Sequence, residues 1–183
     1  MVLLSDKPAR HGLTRYALVT RWHLDAPIER VWDTLVAVEE WPRWWPCVRS
    51  VAEIEPGDAT GVGTLRRFVW SGMLPYRLTF DIRTTAVSPP TLIEGIANGE
   101  VAGHGRCRIE ALGSTTRIQY DWSVRLARRW MILLEPLLAP AFRWNHDQVM
   151  AEGGRALARH LGVRLLAYEC LPRRDEVSRR KIA

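Results

Sequence analysis

The chain has 183 residues, 47% hydrophobic and 25% charged, a balance that suits one globular domain and argues against disorder. No apolar run reaches the roughly 18 residues needed to cross a bilayer; the longest candidate, 130–144, is interrupted by Glu135, Pro136, Pro140 and Arg143. The net charge of +6 comes almost wholly from arginines scattered along the chain, which points to a solvated face and away from specific nucleic-acid recognition.

Cys47, Cys107 and Cys170 are odd in number and far apart, so no disulfide framework is expected. Residues 1–14 read as a flexible N-terminal arm without the apolar core of a secretory leader, and the expected location is cytoplasmic. From Arg15 the pattern alternates: Tyr16, Leu18, Trp22 and Leu24 share one parity, with Arg21 and His23 on the other, a strand with one buried face. Pro27 then suits a helix's first turn, and Ile28, Val31, Trp32 and Leu35 form its apolar stripe. A second short helical piece covers 38–45 and holds three tryptophans.

Strand-like segments follow at 48–54, 64–70, 76–87, 92–97 and 105–112, each bounded by Gly, Pro, Asp or Asn. The clearest strand is the last, where Ile118, Tyr120, Trp122, Val124 and Leu126 alternate with Arg117, Gln119, Asp121, Ser123 and Arg125. The C-terminal third is helical. Phe142, His146, Val149, Met150, Gly153, Leu157 and Leu161 fall on one stripe, and Gly162 is placed to cap the helix. One domain is expected over 15–166, followed by a basic tail, 167–183. A sheet of about seven antiparallel strands with one apolar face is best satisfied by curving around that long helix, an α+β architecture that leaves a cavity between them.

The segments 25–32, 41–45, 74–80, 99–105, 116–122 and 144–150 resemble the START-related, birch-pollen-allergen-like superfamily known as SRPBCC, and within it the polyketide cyclase/dehydratase-like group. Among the residues that carry the likeness are Pro27 and Trp32, Trp41, Pro42 and Trp45, Pro75 and Tyr76, and Asn145 and His146. The resemblance implies a helix-grip fold with a hydrophobic pocket. Members of that superfamily bind lipids, sterols, polyketides, quinones or hormones, and only some catalyse a reaction.

The residues themselves argue against several chemistries. The five histidines form no H-x-x-x-H or H-E-x-x-H, and no C-x-x-C occurs, so neither a metal nor a cofactor is expected. No G-x-S-x-G elbow is present, and His104 and Cys107, three apart on a strand, point to opposite faces. Glu94 would be a pocket acid with a raised pKa if Leu92, Glu94 and Ile96 face inward, and a surface charge if Ile93, Gly95 and Ala97 do. His146 is the best polar candidate, since its stripe faces the sheet; Tyr120 is its expected partner across the pocket. Gly153 on the same stripe is expected to leave room for a ligand.

The expected ligand-binding residues are Trp41, Trp45, Trp70, Tyr76, Phe80, Tyr120, Trp122, Phe142, His146 and Met150, with His146, Tyr120 and Glu94 as catalytic candidates. Trp22, Trp32, Tyr120 and Trp122 fit the core, while Trp41, Trp44, Trp45, Trp70, Trp130 and Trp144 are expected at a pocket rim. The leading expectation is therefore a binder of a hydrophobic small molecule that is polyketide-, isoprenoid- or lipid-like. The alternatives are a cyclase or dehydratase using the same pocket, and an interaction protein that presents 130–144 and the basic surface to a membrane or partner.

Overall fold

The computed structural model describes residues 15–126 and 129–172, with side chains described for 17–125 and 139–171. An alternating strand, β1 (Arg15–Leu24), leads into the amphipathic helix α1 (Ile28–Val36), whose predicted stripe of Ile28, Val31, Trp32 and Leu35 is the face it buries. After a 3-10 turn comes α2 (Trp41–Trp44), begun by Pro42, whose absent N–H costs nothing in a first turn. Six strands follow: β2 (Val48–Glu55), β3 (Leu65–Ser71), β4 (Arg77–Ser88), β5 (Leu92–Gly99), β6 (Val101–Leu112) and β7 (Thr115–Leu126). The long helix α3 (Arg129–Leu161) and a final strand, β8 (Leu165–Pro172), complete the chain.

The eight strands form one sheet in the order β2-β3-β4-β5-β6-β7-β1-β8. All neighbours are antiparallel. Register shifts in β1–β8, β2–β3 and β4–β5 bend the strands, which is how a sheet acquires curvature. Its inner face carries Leu18, Trp22, Phe68, Phe80, Cys107, Ile118 and Val124, all buried. Its outer face is polar, with Arg67 bonded twice to Asp81 at 2.8 and 2.9 Å and Arg108 to Asp121 at 2.7 Å. This is the helix-grip fold that the order of elements implied.

Two features tie α3 to the inner face. Trp22 Nε1 donates to the Met150 carbonyl at 3.1 Å, and Trp45 Nε1 donates to the Val149 carbonyl at 3.2 Å. Both indoles reach the helix backbone because Gly153 and Gly154 lie there: a Cβ at Gly153 would sit 2.2 Å from the Trp45 ring, and one at Gly154 2.9 Å from Trp22. The space that Gly153 was expected to leave for a ligand is therefore filled by Trp45. The helix ends as expected at Gly162, with φ +66°, where Gly162 N–H bonds the Arg159 carbonyl and Val163 N–H bonds that of Ala158, a Schellman termination.

The structure adds an eighth strand. Residues 165–172 were expected at the end of the domain and in its tail; they pair with β1 from Leu18↔Pro172 to Leu24↔Leu165. The helix also begins earlier than its stripe suggested, running unbroken through Pro136 and Pro140. The expected arm, 1–14, and the remainder of the tail, 173–183, lie outside the described residues.

Candidate ligand cavity

Between the concave sheet and α3 lies a cavity of about 270 Å³, close to the lower end of the roughly 300–1,000 Å³ usual for small-molecule sites. Phe80 and Trp70 come from β4 and β3, Tyr120 and Trp122 from β7, and Phe142, His146 and Met150 from α3. Trp41 and Trp45 close it beside α2, and Tyr76 stands at the start of β4. All ten residues expected to contact a ligand thus lie on its wall. Its lining is overwhelmingly apolar, which favours an apolar occupant.

Glycines on two neighbouring strands let wall side chains pack flat against the sheet: a Cβ at Gly95 would lie 2.7 Å from the Ile82 side chain. Gly95 of β5 faces Gly105 of β6 across the ladder, both on the inner face. A Cβ at Gly105 would lie 2.5 Å from the Trp122 ring, so the indole covers that glycine and presents its other side to the space. Trp122 is accordingly half-buried on the wall, where its place among the expected ligand contacts put it, and is not an enclosed core residue.

The tryptophans divide differently from the rim expectation. Trp41, Trp44 and Trp45 are buried; Trp45 is 1% exposed and packs against Trp22, Trp41, Trp44 and Trp70 with centroids 4.9–5.6 Å apart. Such aromatic pairs add roughly 0.5–1.5 kcal/mol each beyond area burial. Trp144 is exposed, and the side chain of Trp130 lies outside those described.

Glu94 is not a pocket acid. Gly95 and Ala97 are buried and Ile96 is 45% exposed, so the inner face belongs to Ile93, Gly95 and Ala97. Glu94 is among the residues that line the cavity, but its carboxylate pairs with Arg106 and stands 3.7 Å from His104.

His146 lies on the wall, and burial pushes its pKa down to about 4, so the ring is neutral at pH 7. Its partner is Cys170 on β8, with Sγ 4.0 Å from Nδ1. Tyr120, the expected partner, lies instead beside Cys107, its neighbour across β6–β7, and the two groups bear on each other's ionisation. Burial raises the Tyr120 phenol well above its ordinary value and pushes the Cys107 thiol up to about 12, so both stay protonated.

Among the wall or near-wall residues not expected as ligand contacts are Arg66, Thr20, Asn145 and Cys170. Arg66 lines one end with its charge matched by Glu39 at 2.6 Å and Glu53 at 3.4 Å; it shares the parity of Phe68 and Trp70, a signal that was legible. Thr20 shares the parity of Leu18 and Trp22 in the same way. Asn145 is buried, and its Oδ1 accepts from Met73 N–H at 2.8 Å and Leu74 N–H at 3.1 Å, fastening the β3–β4 hairpin to α3. Cys170 could not be found from sequence without β8.

Solved structures share this architecture. The Zhui aromatase/cyclase from Streptomyces sp. R1128 matches with a TM-score of 0.65 at 15% identity, covering 81% of this chain and 94% of that one. A START superfamily protein from Mycobacterium smegmatis matches with a TM-score of 0.66 at 14% identity, covering 80% and 97%. At such identities the likeness is one of fold. No curated protein matches the sequence. The model of the family described as "Polyketide cyclase / dehydrase and lipid transport" matches residues 17–162, and the chain belongs to that family.

Proposed function

We propose that this protein binds a hydrophobic small molecule of polyketide, isoprenoid or lipid character in the cavity between the sheet and α3. The observation that carries the reading is an aromatic-walled space of about 270 Å³ with a neutral imidazole on a largely apolar wall. Filling it removes apolar surface from water at about 25 cal/mol per Å², and the rigid indoles add contact area at little entropic cost. The family description, which names polyketides and lipid transport, supports a ligand of this class.

A second reading, a cyclase or dehydratase, is favoured by one observation: the two polar rings His146 and Tyr120 line the same space, where both could hydrogen-bond a substrate carbonyl. The cavity would then hold a flexible chain in a reactive fold, so that proximity supplies much of the rate. Native mass spectrometry of freshly purified protein tests the binding reading. A co-purifying small molecule, or mass-resolved 1:1 uptake of an added planar hydrocarbon, is the expected result; a protein that retains and takes up neither contradicts it. Turnover of an added polyketone would move the protein to the second reading.

A further inference from the structure

His146 projects from α3 toward the seam between β1 and β8. Thr20 and Cys170 are cross-strand partners in that seam. The Thr20 hydroxyl donates to Cys170 Sγ at 3.9 Å, and the same sulfur stands 4.0 Å from His146 Nδ1. Tyr168 and Asp147 also face the thiol. The Tyr168 hydroxyl, however, is directed to the Asp147 carboxylate at 2.5 Å and to the Asp147 carbonyl at 2.9 Å.

The direction of these bonds follows from what each group can do. Thr20 supplies a proton to the sulfur, so the thiol proton is left to be donated; the Asp147 carboxylate competes for it but already accepts from the Tyr168 hydroxyl, and the nitrogen in geometric contact with the sulfur is His146 Nδ1. A neutral ring that accepts at one nitrogen carries its proton on the other. Among the described residues Nε2 has no protein partner, and it is not one of the buried unpartnered nitrogens, which are Trp44 Nε1 and Trp70 Nε1. It therefore keeps open surface, and His146 lines the cavity.

We propose that Cys170 is a positioning residue: its thiol occupies His146 Nδ1 and fixes the tautomer whose Nε2–H donates into the cavity, which selects an apolar ligand bearing a neutral carbonyl acceptor at this end. A carboxylate is disfavoured there because Asp147 is the nearest charge to the ring. An alcohol gains less, because the ring's acceptor nitrogen is already used. The inference rests on the binding reading above and adds the ligand's polar group.

The test uses two tricycles of one shape, 9-fluorenone and fluorene, which differ in a single carbonyl, with affinities measured by equilibrium dialysis. The ketone-over-hydrocarbon preference of the wild type should exceed that of His146→Phe about fivefold, the factor of one net hydrogen bond. Cys170→Ser, which keeps an O–H for Nδ1, should retain most of the preference, and Cys170→Ala should lose most of it. In parallel, long-range ¹H–¹⁵N correlation on histidine-labelled protein should report Nε2–H in the wild type and in Cys170→Ser, and a tautomer mixture in Cys170→Ala. An Nδ1–H ring in the wild type, or a Cys170→Ala protein with unchanged tautomer and unchanged preference, overturns the assignment. If neither tricycle binds, the cavity reading fails, and the tautomer spectra still decide the role of Cys170.

Discussion

His146 links burial to pH. An unfolded histidine titrates near 6.5 and the folded ring near 4, so between those values the unfolded chain takes up a proton that the native state refuses. Stability is thus full above pH 6.5, falls as pH drops, and has lost this contribution entirely below about pH 4. The shift corresponds to roughly 3 kcal/mol as an order of magnitude. His146→Phe keeps the aromatic volume and removes the proton, so its melting temperature should fall less than that of the wild type from pH 7 to pH 4. Parallel curves for the two proteins would mean that the ring is already solvated. The pocket-facing position of this residue was legible in its stripe, since i, i+3, i+4 spacing fixes which residues share a helix face. Its partner was not legible, because a partner across space depends on which strand closes the sheet.

The strands whose two faces differ were the readable elements. β7 alternates over its whole length because one side meets the core and the other carries Asp121 and Gln119. β8 gave no such signal. Leu166 and Leu171 are both exposed although they have opposite parity, as happens on an edge strand beside a bulge, and the basic run that follows suggested a tail. Trp41 and Trp45 reach the cavity as expected, but they and Trp44 are buried and not at an open rim: position at an element's end implies a rim only if nothing packs over it, and α3 packs over Trp45 at Gly153. The attachment of the β3–β4 hairpin offers a test at this scale. Asn145→Ala deprives the Met73 and Leu74 amides of their acceptor, and a lost buried bond of this kind costs about 1–3 kcal/mol. Denaturant unfolding should show that loss, with faster hydrogen exchange at both amides; wild-type exchange rates would contradict the latch.

For the molecule as a whole, the sheet and α3 bound the space between them, while Gly95 and Gly105 let Ile82 and Trp122 lie close against the sheet along its wall. The architecture could be read in advance because a long one-sided sheet and a long striped helix have few ways to bury both apolar faces. The contents of the space could not, since they depend on which indoles turn into the core and which line the wall. The most direct test of the account is equilibrium dialysis of fluorene against the wild type and Ile93→Trp, a substitution that adds volume on the cavity wall. Saturable binding at one site in the wild type, lost in a folded Ile93→Trp protein, is the expected result. Equal binding by both proteins would place the ligand elsewhere and contradict the cavity as the functional site.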